Sequence, residues 1–343
     1  MRWEPPDDWP RIETIESHAG GEPLRIVVDG MPDLPGETML EKRRYARDHH
    51  DDLRTALMLE PRGHADMYGA VLTEPVTPDG DAGVLFTHTD GYSTMCGHGV
   101  IALGTVLPET DRLDRDTENE DEGPVLRLDT PAGRVTARPT IEDGRVERVA
   151  FENVPAYVVS LEESVHVPDY GRIEYDLAFG GAYYAYCDAA QFDVSVDGDS
   201  VADLIDVGRA VKGAVADDVS ITHPAEEDLG FLYGVVLTDE PRGDGDVRNA
   251  CVFADGEVDR SPTGTGVSGH LALGHARGTL APDEPYVVES VIGSTFTGRI
   301  RDVVDYHGHE AVVPEIEGSA HVTGTSTFTV DPADPLGAGF ALW

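Results

Sequence analysis

The sequence predicts an α+β protein of two similar halves, and three observations support this prediction. The chain has 343 residues, whereas single hydrophobic cores stop growing at roughly 250 to 300 residues, so two domains are expected. Short runs rich in Val, Ile, Phe, Tyr and Thr recur between Gly, Pro and Asp residues, which is typical of short strands. A glycine-rich turn that opens a short apolar helix occurs once in each half, as in a degenerate internal repeat.

The first half is predicted to contain seven strands and two helices. The longer helix spans 40–58, with charged residues on one side and apolar residues on the other. The second helix spans 97–106 and is expected to end before Pro108, because proline interrupts a helix. The acidic stretch 109–123 is predicted to be a solvated loop. The predicted strands are 24–28, 70–73, 83–87, 125–128, 134–139, 148–151 and 157–159.

The second half repeats this plan. Two helices are predicted, at 201–211 and 264–275, the second again opening at a glycine-rich turn. The predicted strands are 182–187, 220–221, 231–237, 247–253, 286–290, 295–304, 311–316 and 320–328.

The two glycine-rich turns are MCGHG at 95–99 and PTGTG at 262–266. When they are aligned, Cys96 falls opposite Thr263. A helix N-terminus offers free backbone N–H groups and a partial positive charge, which suit a carboxylate or a phosphate. Two such helix ends that face each other would hold one small anion between them.

Cys96 is the candidate base of this arrangement. A thiol at a helix N-terminus is expected to have a pKa below the usual ~8.5. Cys187 and Cys251 lie in apolar strand patterns and are predicted to be small buried hydrophobic residues. Three cysteines without a CxxC pair form no disulfide framework. Zinc bound by Cys96 and His98 would need two further ligands that no nearby motif supplies, so no metal is expected.

The charge of the chain limits its partners. Asp and Glu number 65 against 25 Lys and Arg, which gives a net charge of −40, and Lys42 and Lys212 are the only lysines. Molar salt screens such self-repulsion, because the Debye length falls to ~3 Å, so a halophilic protein is predicted. Nucleic acid and anionic membranes are not expected to bind such a surface. The first residues, MRWEPPDDWP, show no export signal, and a cytoplasmic protein is expected.

One motif suggests another class of enzyme. Residues 264–269 read GTGVSG, a literal G-x-G-x-x-G, and Glu289 lies about 20 residues beyond it, as in NAD-dependent oxidoreductases. The motif follows Ser261 and Pro262 rather than a strand, and its surroundings are antiparallel in character, which weakens this interpretation.

Five segments together indicate a family: SHAGGEPLR at 17–25, EPRGHADMYG at 60–69, GYSTMCGHG at 91–99, FGGAYYA at 179–185 and DRSPTGTG at 259–266. These segments, in this order, give the chain a resemblance to the proline racemase family. That resemblance implies two pseudo-symmetric lobes of the diaminopimelate epimerase type, each a mostly antiparallel sheet or barrel around a central helix, with the active site in the cleft between them. The implied boundaries are 1–178 for the first lobe, 179–323 for the second and 324–343 for a tail that returns to the first.

The resemblance also implies a chemistry. Racemases of the family place one cysteine on each face of the α-carbon, whereas this chain has Thr263 where the second cysteine would be. A threonine hydroxyl is too weak an acid and base to exchange a proton with carbon. The Cys96 and Thr263 pair resembles the hydro-lyases of the family that convert trans-3-hydroxy-L-proline to Δ1-pyrroline-2-carboxylate without a cofactor.

The remaining site residues follow from the same resemblance. The backbone around Gly97, His98, Gly264 and Thr265 would hold the substrate carboxylate, and His98 with Asp259 would contact the ring nitrogen. The aromatic pocket positions are Tyr68 and Phe253. A homodimer or a monomer is the implied assembly. Three alternatives stay open: a proline racemase or 4-hydroxyproline epimerase, a non-catalytic imino-acid-binding protein, and the NAD-dependent oxidoreductase.

Overall fold

A computed structural model describes residues 4–110, 112 and 124–342 of the chain. The predicted acidic loop therefore lies almost entirely outside the described residues. Within those residues the fold is a mixed α+β structure of short helices and many strands, which confirms the predicted fold class. No helix in the described part is long and apolar enough to cross a membrane.

The described part of the first half contains seven strands and three α-helices. In chain order these are β1 (Arg11–Ala19), β2 (Glu22–Asp29), α1 (Met39–His49), α2 (Asp51–Met58), β3 (Tyr68–Thr73), β4 (Ala82–His88), α3 (Gly97–Glu109), β5 (Leu126–Thr130), β6 (Gly133–Glu142) and β7 (Arg145–Glu152).

Up to residue 342, the second half contains ten strands and two α-helices. These are β8 (Ala156–Val167), β9 (Gly171–Phe179), β10 (Tyr183–Asp188), α4 (Val201–Asp218), β11 (Leu232–Asp239), β12 (Val247–Phe253), β13 (Glu257–Val258), α5 (Gly264–Ala276), β14 (Tyr286–Glu289), β15 (Thr295–Tyr306), β16 (His309–Gly318) and β17 (Ala320–Thr329).

The strands of the second half close into a barrel. The pairing runs β8, β9, β10, β11, β12, β14, β15 and β16, and β16 returns to β8 where Ala311 pairs with Tyr157. Only the β10–β11 and β12–β14 pairs in this ring are parallel. A closed ring leaves no unpaired edge strand.

The first half repeats the same order of pairings. It runs β17, β1, β2, β3, β4, β5, β6 and β7, with parallel pairs only at β2–β3 and β4–β5. Strand β17 comes from the end of the chain, and its residue Ala320 pairs with Ala19 of β1. Strand β16 joins the two halves, because it pairs with β7 as well as with β8. The predicted boundaries at 178 and 323 stay a prediction.

Helices α3 and α5 are the central elements of the two halves. All residues from Gly97 to Pro108 and from Gly264 to Leu273 are buried. Helix α3 packs against β1, β7 and β17, and α5 packs against β8, β15 and β16. A helix that is apolar on all sides is stable only when it is buried in a core. Because the two glycine-rich turns begin these helices, they lie deep between the halves.

The predicted helix 40–58 was wrong in one respect, because the structure divides it into α1 and α2. The break lies at His50, whose φ of −138° and ψ of 23° are not helical. Asp51 and Asp52 then form the acidic first turn of a new helix. The positive end of the helix dipole stabilises carboxylates at this position. Those two aspartates are the sequence signal of the break.

Three further predictions about elements were wrong. Helix α3 continues through Pro108 to Glu109, since a proline in the last turn removes few helical hydrogen bonds. Helix α4 runs to Asp218 instead of 211, because Val215 extends its buried face. Residues 220–221 form no strand: Ile221 packs its side chain on neighbouring hydrophobic clusters, and the carbonyl of Thr222 accepts from the Tyr183 hydroxyl at 3.1 Å. Strands β1, β9 and β13 were not predicted.

Candidate active site

The N-termini of α3 and α5 touch at two glycines. A Cβ atom built on Gly97 would lie 2.5 Å from the Cα of Gly264, and one built on Gly264 would lie 2.7 Å from the Cα of Gly97. Both distances are shorter than real Cβ atoms tolerate, and backbone atoms cannot rotate away as a side chain can. Glycine is therefore required at both positions for the helix ends to meet.

Replacement of Gly97 by Ala is expected to reduce turnover by about 10²-fold, the cost of a displacement of about 1 Å at a reacting centre. The added methyl must push α5 away from α3. Gly213→Ala is the matched control, because it places the same methyl in helix α4 where nothing lies within 4 Å. Steady-state kinetics of the two variants, with their melting temperatures, check the expectation. Equal activities would contradict a requirement for close helix ends.

Cys96 is the N-cap residue of α3, with extended backbone angles of −145° and 112°. Its Sγ accepts a hydrogen bond from the backbone N–H of Gly99 at 3.3 Å and lies 3.2 Å from His98 Nδ1. The expected lowering of its pKa was wrong for this conformation. Burial raises the pKa of the Cys96 thiol well above its usual range, and the negative charges of Asp259 and Glu22 act in the same direction, against the donor at Gly99.

A raised thiol pKa has a direct consequence for the pH dependence of a reaction in which Cys96 is the base. Only the thiolate accepts a proton, so kcat/KM is expected to increase with pH, up to tenfold per unit, until the pKa of the free enzyme is reached. We expect no plateau below about pH 8.5, the ordinary value of a thiol. Rates measured from about pH 6 to about pH 10 at constant ionic strength test this. A plateau that begins near neutral pH would show that the open enzyme lowers the thiol pKa.

Thr263 is the residue at the start of α5, in the place that Cys96 has at the start of α3. Its φ of 62° is strained for a β-branched residue. The Oγ1 donates to Asp259 Oδ2 at 2.8 Å instead of capping the helix, and the backbone N–H donates to Ser261 Oγ at 3.1 Å. Asp259 is held in turn by the N–H of Ser261, 2.7 Å from Oδ1.

His98 and Asp259 lie beside the two helix ends, and each is buried. Burial lowers the pKa of His98, while Asp259 opposes this and the carbonyl of Pro23 accepts a hydrogen bond from the ring. The ring packs edge-on against Tyr68, with 4.8 Å between centroids. The site therefore combines a neutral imidazole with a carboxyl group.

Aromatic residues form the rest of the wall. The hydroxyl of Tyr68 lies 3.2 Å from that of Tyr233, and the ring of Tyr233 stacks on Phe253 with centroids 5.5 Å apart. Tyr184 bonds to Oγ1 of Thr265 at 2.7 Å. All nine residues predicted for the site line one cavity, namely Tyr68, Cys96, Gly97, His98, Phe253, Asp259, Thr263, Gly264 and Thr265.

Sequence reasoning missed four residues of this cavity: Met95, Tyr184, Tyr233 and Cys251. Tyr184 lies within one of the motifs that carry the resemblance, so that signal was present in the sequence. Cys251 is fully buried, as expected, but it also lines the cavity. Neither Tyr233 nor Cys251 belongs to a motif, and only strand register brings them here.

The cavity is narrow in this conformation. Its volume is about 20 Å³, and a single water molecule needs ~10 to 15 Å³. A ring-sized ligand can enter only after the walls move. Among the described residues no group of three or more His, Cys, Asp or Glu side chains is arranged to hold a metal ion.

Nearly the whole chain matches known proteins. A family model described as proline racemase matches residues 14–341. A trans-3-hydroxy-L-proline dehydratase of Burkholderia cenocepacia is 43% identical over 332 residues, which cover 96% of this chain and 98% of that protein. A 3-hydroxyproline 2-epimerase of Burkholderia multivorans has the same identity and the same coverage. Overall identity therefore does not distinguish the two reactions.

A solved structure shares the fold. The crystal structure of a hydroxyproline epimerase from Agrobacterium vitis, with bound trans-4-hydroxy-L-proline, matches with a TM-score of 0.91 at 30% identity. The match covers 100% of this chain and 96% of the epimerase.

Proposed function

The chain belongs to the proline racemase family, and we propose that it dehydrates trans-3-hydroxy-L-proline to Δ1-pyrroline-2-carboxylate. The observation that carries this proposal is the pair of helix ends: the thiol of Cys96 stands at one, and the hydroxyl of Thr263 stands at the other. Only one end supplies a group whose deprotonated form, a thiolate, can take a proton from carbon.

The stereochemistry of the substrate fits a single base. In trans-3-hydroxy-L-proline the hydroxyl lies opposite the carboxylate, and so on the same ring face as the α-hydrogen. The thiolate of Cys96 takes the α-proton, the electron pair forms the double bond between the α- and β-carbons, and the carbon–oxygen bond breaks. The proton on the Cys96 sulfur passes to the departing hydroxyl, which leaves as water and regenerates the thiolate. The enamine then tautomerises to the imine.

The other site residues are proposed to bind and orient the substrate. Gly97, His98, Gly264 and Thr265 line the cavity in the first turns of α3 and α5, and their backbone N–H groups would stabilise the carboxylate as negative charge accumulates on it. His98 and Asp259 would contact the ring nitrogen. Burial raises the pKa of Tyr68, so its hydroxyl stays protonated and can donate to the departing oxygen. Phe253 would pack on the ring.

An epimerase is the second candidate, because a relative of equal identity carries the name 3-hydroxyproline 2-epimerase. The oxidoreductase alternative has less support. Gly264 opens the G-x-G-x-x-G segment, and its backbone is already in contact with Gly97, where a dinucleotide would need room for its pyrophosphate.

Turnover of trans-3-hydroxy-L-proline tests the proposal. We expect the substrate to disappear and one equivalent of Δ1-pyrroline-2-carboxylate to form. Chromatography monitors both compounds, and reduction with borohydride, which converts the product to proline, identifies the product. The cis isomer is the matched control substrate, since its hydroxyl lies on the face opposite the α-hydrogen. Conversion of the trans isomer to its 2-epimer without the imine would favour the second candidate, and no change in either isomer would favour a binding protein.

We also propose that the enzyme works in the cytoplasm at high salt, which the net charge of −40 supports. Screening of the repulsion among carboxylates should stabilise the folded state. The melting temperature is expected to rise by several degrees between about 0.1 M and about 2 M KCl, where the Debye length falls to ~3 Å or less. Sucrose of equal osmolarity, which screens no charge, is the control; an equal rise in sucrose would contradict salt adaptation.

A further inference from the structure

In the described part of the chain, the residues that line the cavity carry five side-chain hydroxyl groups, on Tyr68, Tyr184, Tyr233, Thr263 and Thr265. Three of them have a close partner within the protein. The hydroxyl of Thr263 donates to a carboxylate oxygen at 2.8 Å, and the hydroxyls of Tyr184 and Thr265 are joined at 2.7 Å. Distances of about 2.7 to 2.8 Å are the usual ones for an O–H···O bond, so these three groups are satisfied without a ligand.

The other two hydroxyls, of Tyr68 and Tyr233, are joined by a longer bond. Their oxygens are buried and lie 3.2 Å apart, beyond the usual range of up to about 3.0 Å for an O–H···O bond. A hydroxyl has one proton to donate and two lone pairs that accept. The bond between the tyrosines uses one of their two protons, so the second proton and the unused lone pairs remain for another partner. This pair can therefore bind a hydroxyl group of a ligand.

The neighbours of Tyr233 hold its ring in the cavity wall. Tyr233 lies in β11 and is buried. Its ring stacks on Phe253 with centroids 5.5 Å apart and meets Tyr184 edge-on at 5.7 Å. Burial raises the pKa of Tyr233 well above its usual range, and a thiolate at Cys96 acts in the same direction, against the hydrogen bond with Tyr68. The Tyr233 hydroxyl therefore stays protonated and can serve as a donor beside the thiol.

The position of the tyrosine pair agrees with the stereochemistry of the proposed reaction. The 3-hydroxyl lies on the ring face from which Cys96 takes the α-proton, so it faces the side of the cavity that holds the thiol. The helix ends are the proposed partners of the carboxylate, and His98 with Asp259 are those of the ring nitrogen. Among the hydroxyls of the described cavity wall, the pair of Tyr68 and Tyr233 is the one with capacity left for the 3-hydroxyl.

We propose that Tyr233 is a specificity-determining residue, whose hydroxyl forms with that of Tyr68 the subsite for the 3-hydroxyl group of the substrate. The substrate hydroxyl takes the place of the long bond between the tyrosines, accepting from one and donating to the other. Negative charge develops on the departing oxygen as the carbon–oxygen bond breaks, so the bond that it accepts becomes stronger. The proton that completes the water molecule still comes from Cys96. The inference rests on the proposed function, because it takes 3-hydroxyproline as the substrate.

Tyr233→Phe removes the hydroxyl and keeps the ring that stacks on Phe253. We expect the affinity for trans-3-hydroxy-L-proline to fall about fivefold, the usual value of one hydrogen bond, and the affinity for L-proline, which has no hydroxyl, to stay within about twofold. Calorimetry in the Cys96→Ser background measures both affinities without turnover. With Cys96 present, kcat/KM for dehydration should fall further, by up to about 10²-fold, because the bond to the departing oxygen is charge-assisted.

Tyr157→Phe is the matched control. Tyr157 and Tyr183 form another pair of buried tyrosine hydroxyls, 2.6 Å apart, in a hydrophobic cluster outside the cavity. We expect this substitution to change neither the two affinities nor kcat/KM by more than about twofold. The proposal is overturned if Tyr233→Phe leaves both affinities unchanged, if it weakens both ligands by the same factor, or if Tyr157→Phe shows the same selective loss.

The binding comparison also separates this inference from dehydration itself. Absence of imine in the wild type would refute the proposed function, whereas a selective loss of affinity for the hydroxylated ligand in Tyr233→Phe would still establish the subsite. Imine formation at equal rates by the wild type and by Tyr233→Phe would support dehydration and overturn the role of Tyr233.

Discussion

Replacement of Cys96 by Ser is expected to lower kcat/KM for dehydration by about 10³-fold, the middle of the range for removal of a general base. Serine keeps the shape of the side chain and can still accept from the N–H of Gly99 as an N-cap residue. Its hydroxyl, however, does not lose its proton at neutral pH. The loss should therefore appear in kcat, with KM changed little. Single-turnover measurements of imine formation isolate this step.

Cys187→Ser is the control for the Cys96 substitution. It replaces sulfur by oxygen at an equally buried position outside the cavity, and we expect its rate to stay within about twofold of the wild type. Exchange of the α-hydrogen for deuterium in heavy water gives a second readout. If Cys96→Ser still exchanges that hydrogen at the wild-type rate, another group is the base, and the assignment of Cys96 would be refuted.

The internal repeat explains how much of this site could be predicted. Cys96 and Thr263 were paired by aligning two glycine-rich turns, and the structure places both turns at the touching ends of buried helices. The sequence also placed most of the other strands to within a few residues, because their alternating and β-branched patterns are local, although it missed β1, β9 and β13. The order in which strands pair is not local. The return of β17 to β1 joins residues about 300 positions apart, and no pattern within either segment encodes it.

The properties that sequence could not predict depend on tertiary neighbours. The N-terminal position of Cys96 predicts a lowered pKa, but enclosure by the other half together with Asp259 and Glu22 raises it. Cys251 reads as a buried apolar residue in a strand, and only the register of β12 beside the loop of Asp259 brings it to the cavity. The apolar periodicity of 40–58 continues through the break at His50, and only Asp51 and Asp52 mark that break in the sequence.

Replacement of Thr263 by Cys is expected to raise the epimerase activity of the protein. The substitution puts a thiol at each helix end, so that one can remove the α-proton while the other returns a proton to the opposite face. General acid catalysis contributes about 10² to 10⁴-fold, so epimerisation of trans-4-hydroxy-L-proline should rise by at least about 10²-fold above background. This substrate has no hydroxyl at the 3-position, and elimination cannot compete. The reaction is run in heavy water, and the products are separated by chiral chromatography with mass detection. The D-epimer should then carry deuterium at its α-carbon.

The fold should tolerate this substitution. Thr263 has a φ of 62°, a region that is strained for β-branched side chains, and cysteine lacks the second Cβ branch. Thr263→Ala is the matched control, since it relieves the same branch but supplies neither thiol nor hydroxyl, and we expect it to form no epimer. The appearance of epimer in Thr263→Ala would mean that water protonates the second face. A folded Thr263→Cys enzyme that dehydrates trans-3-hydroxy-L-proline yet never inverts the 4-hydroxy compound would show that position 263 does not separate elimination from inversion. In that case the choice between the two reactions would depend on how the aromatic wall of Tyr68, Tyr233 and Phe253 orients the ring.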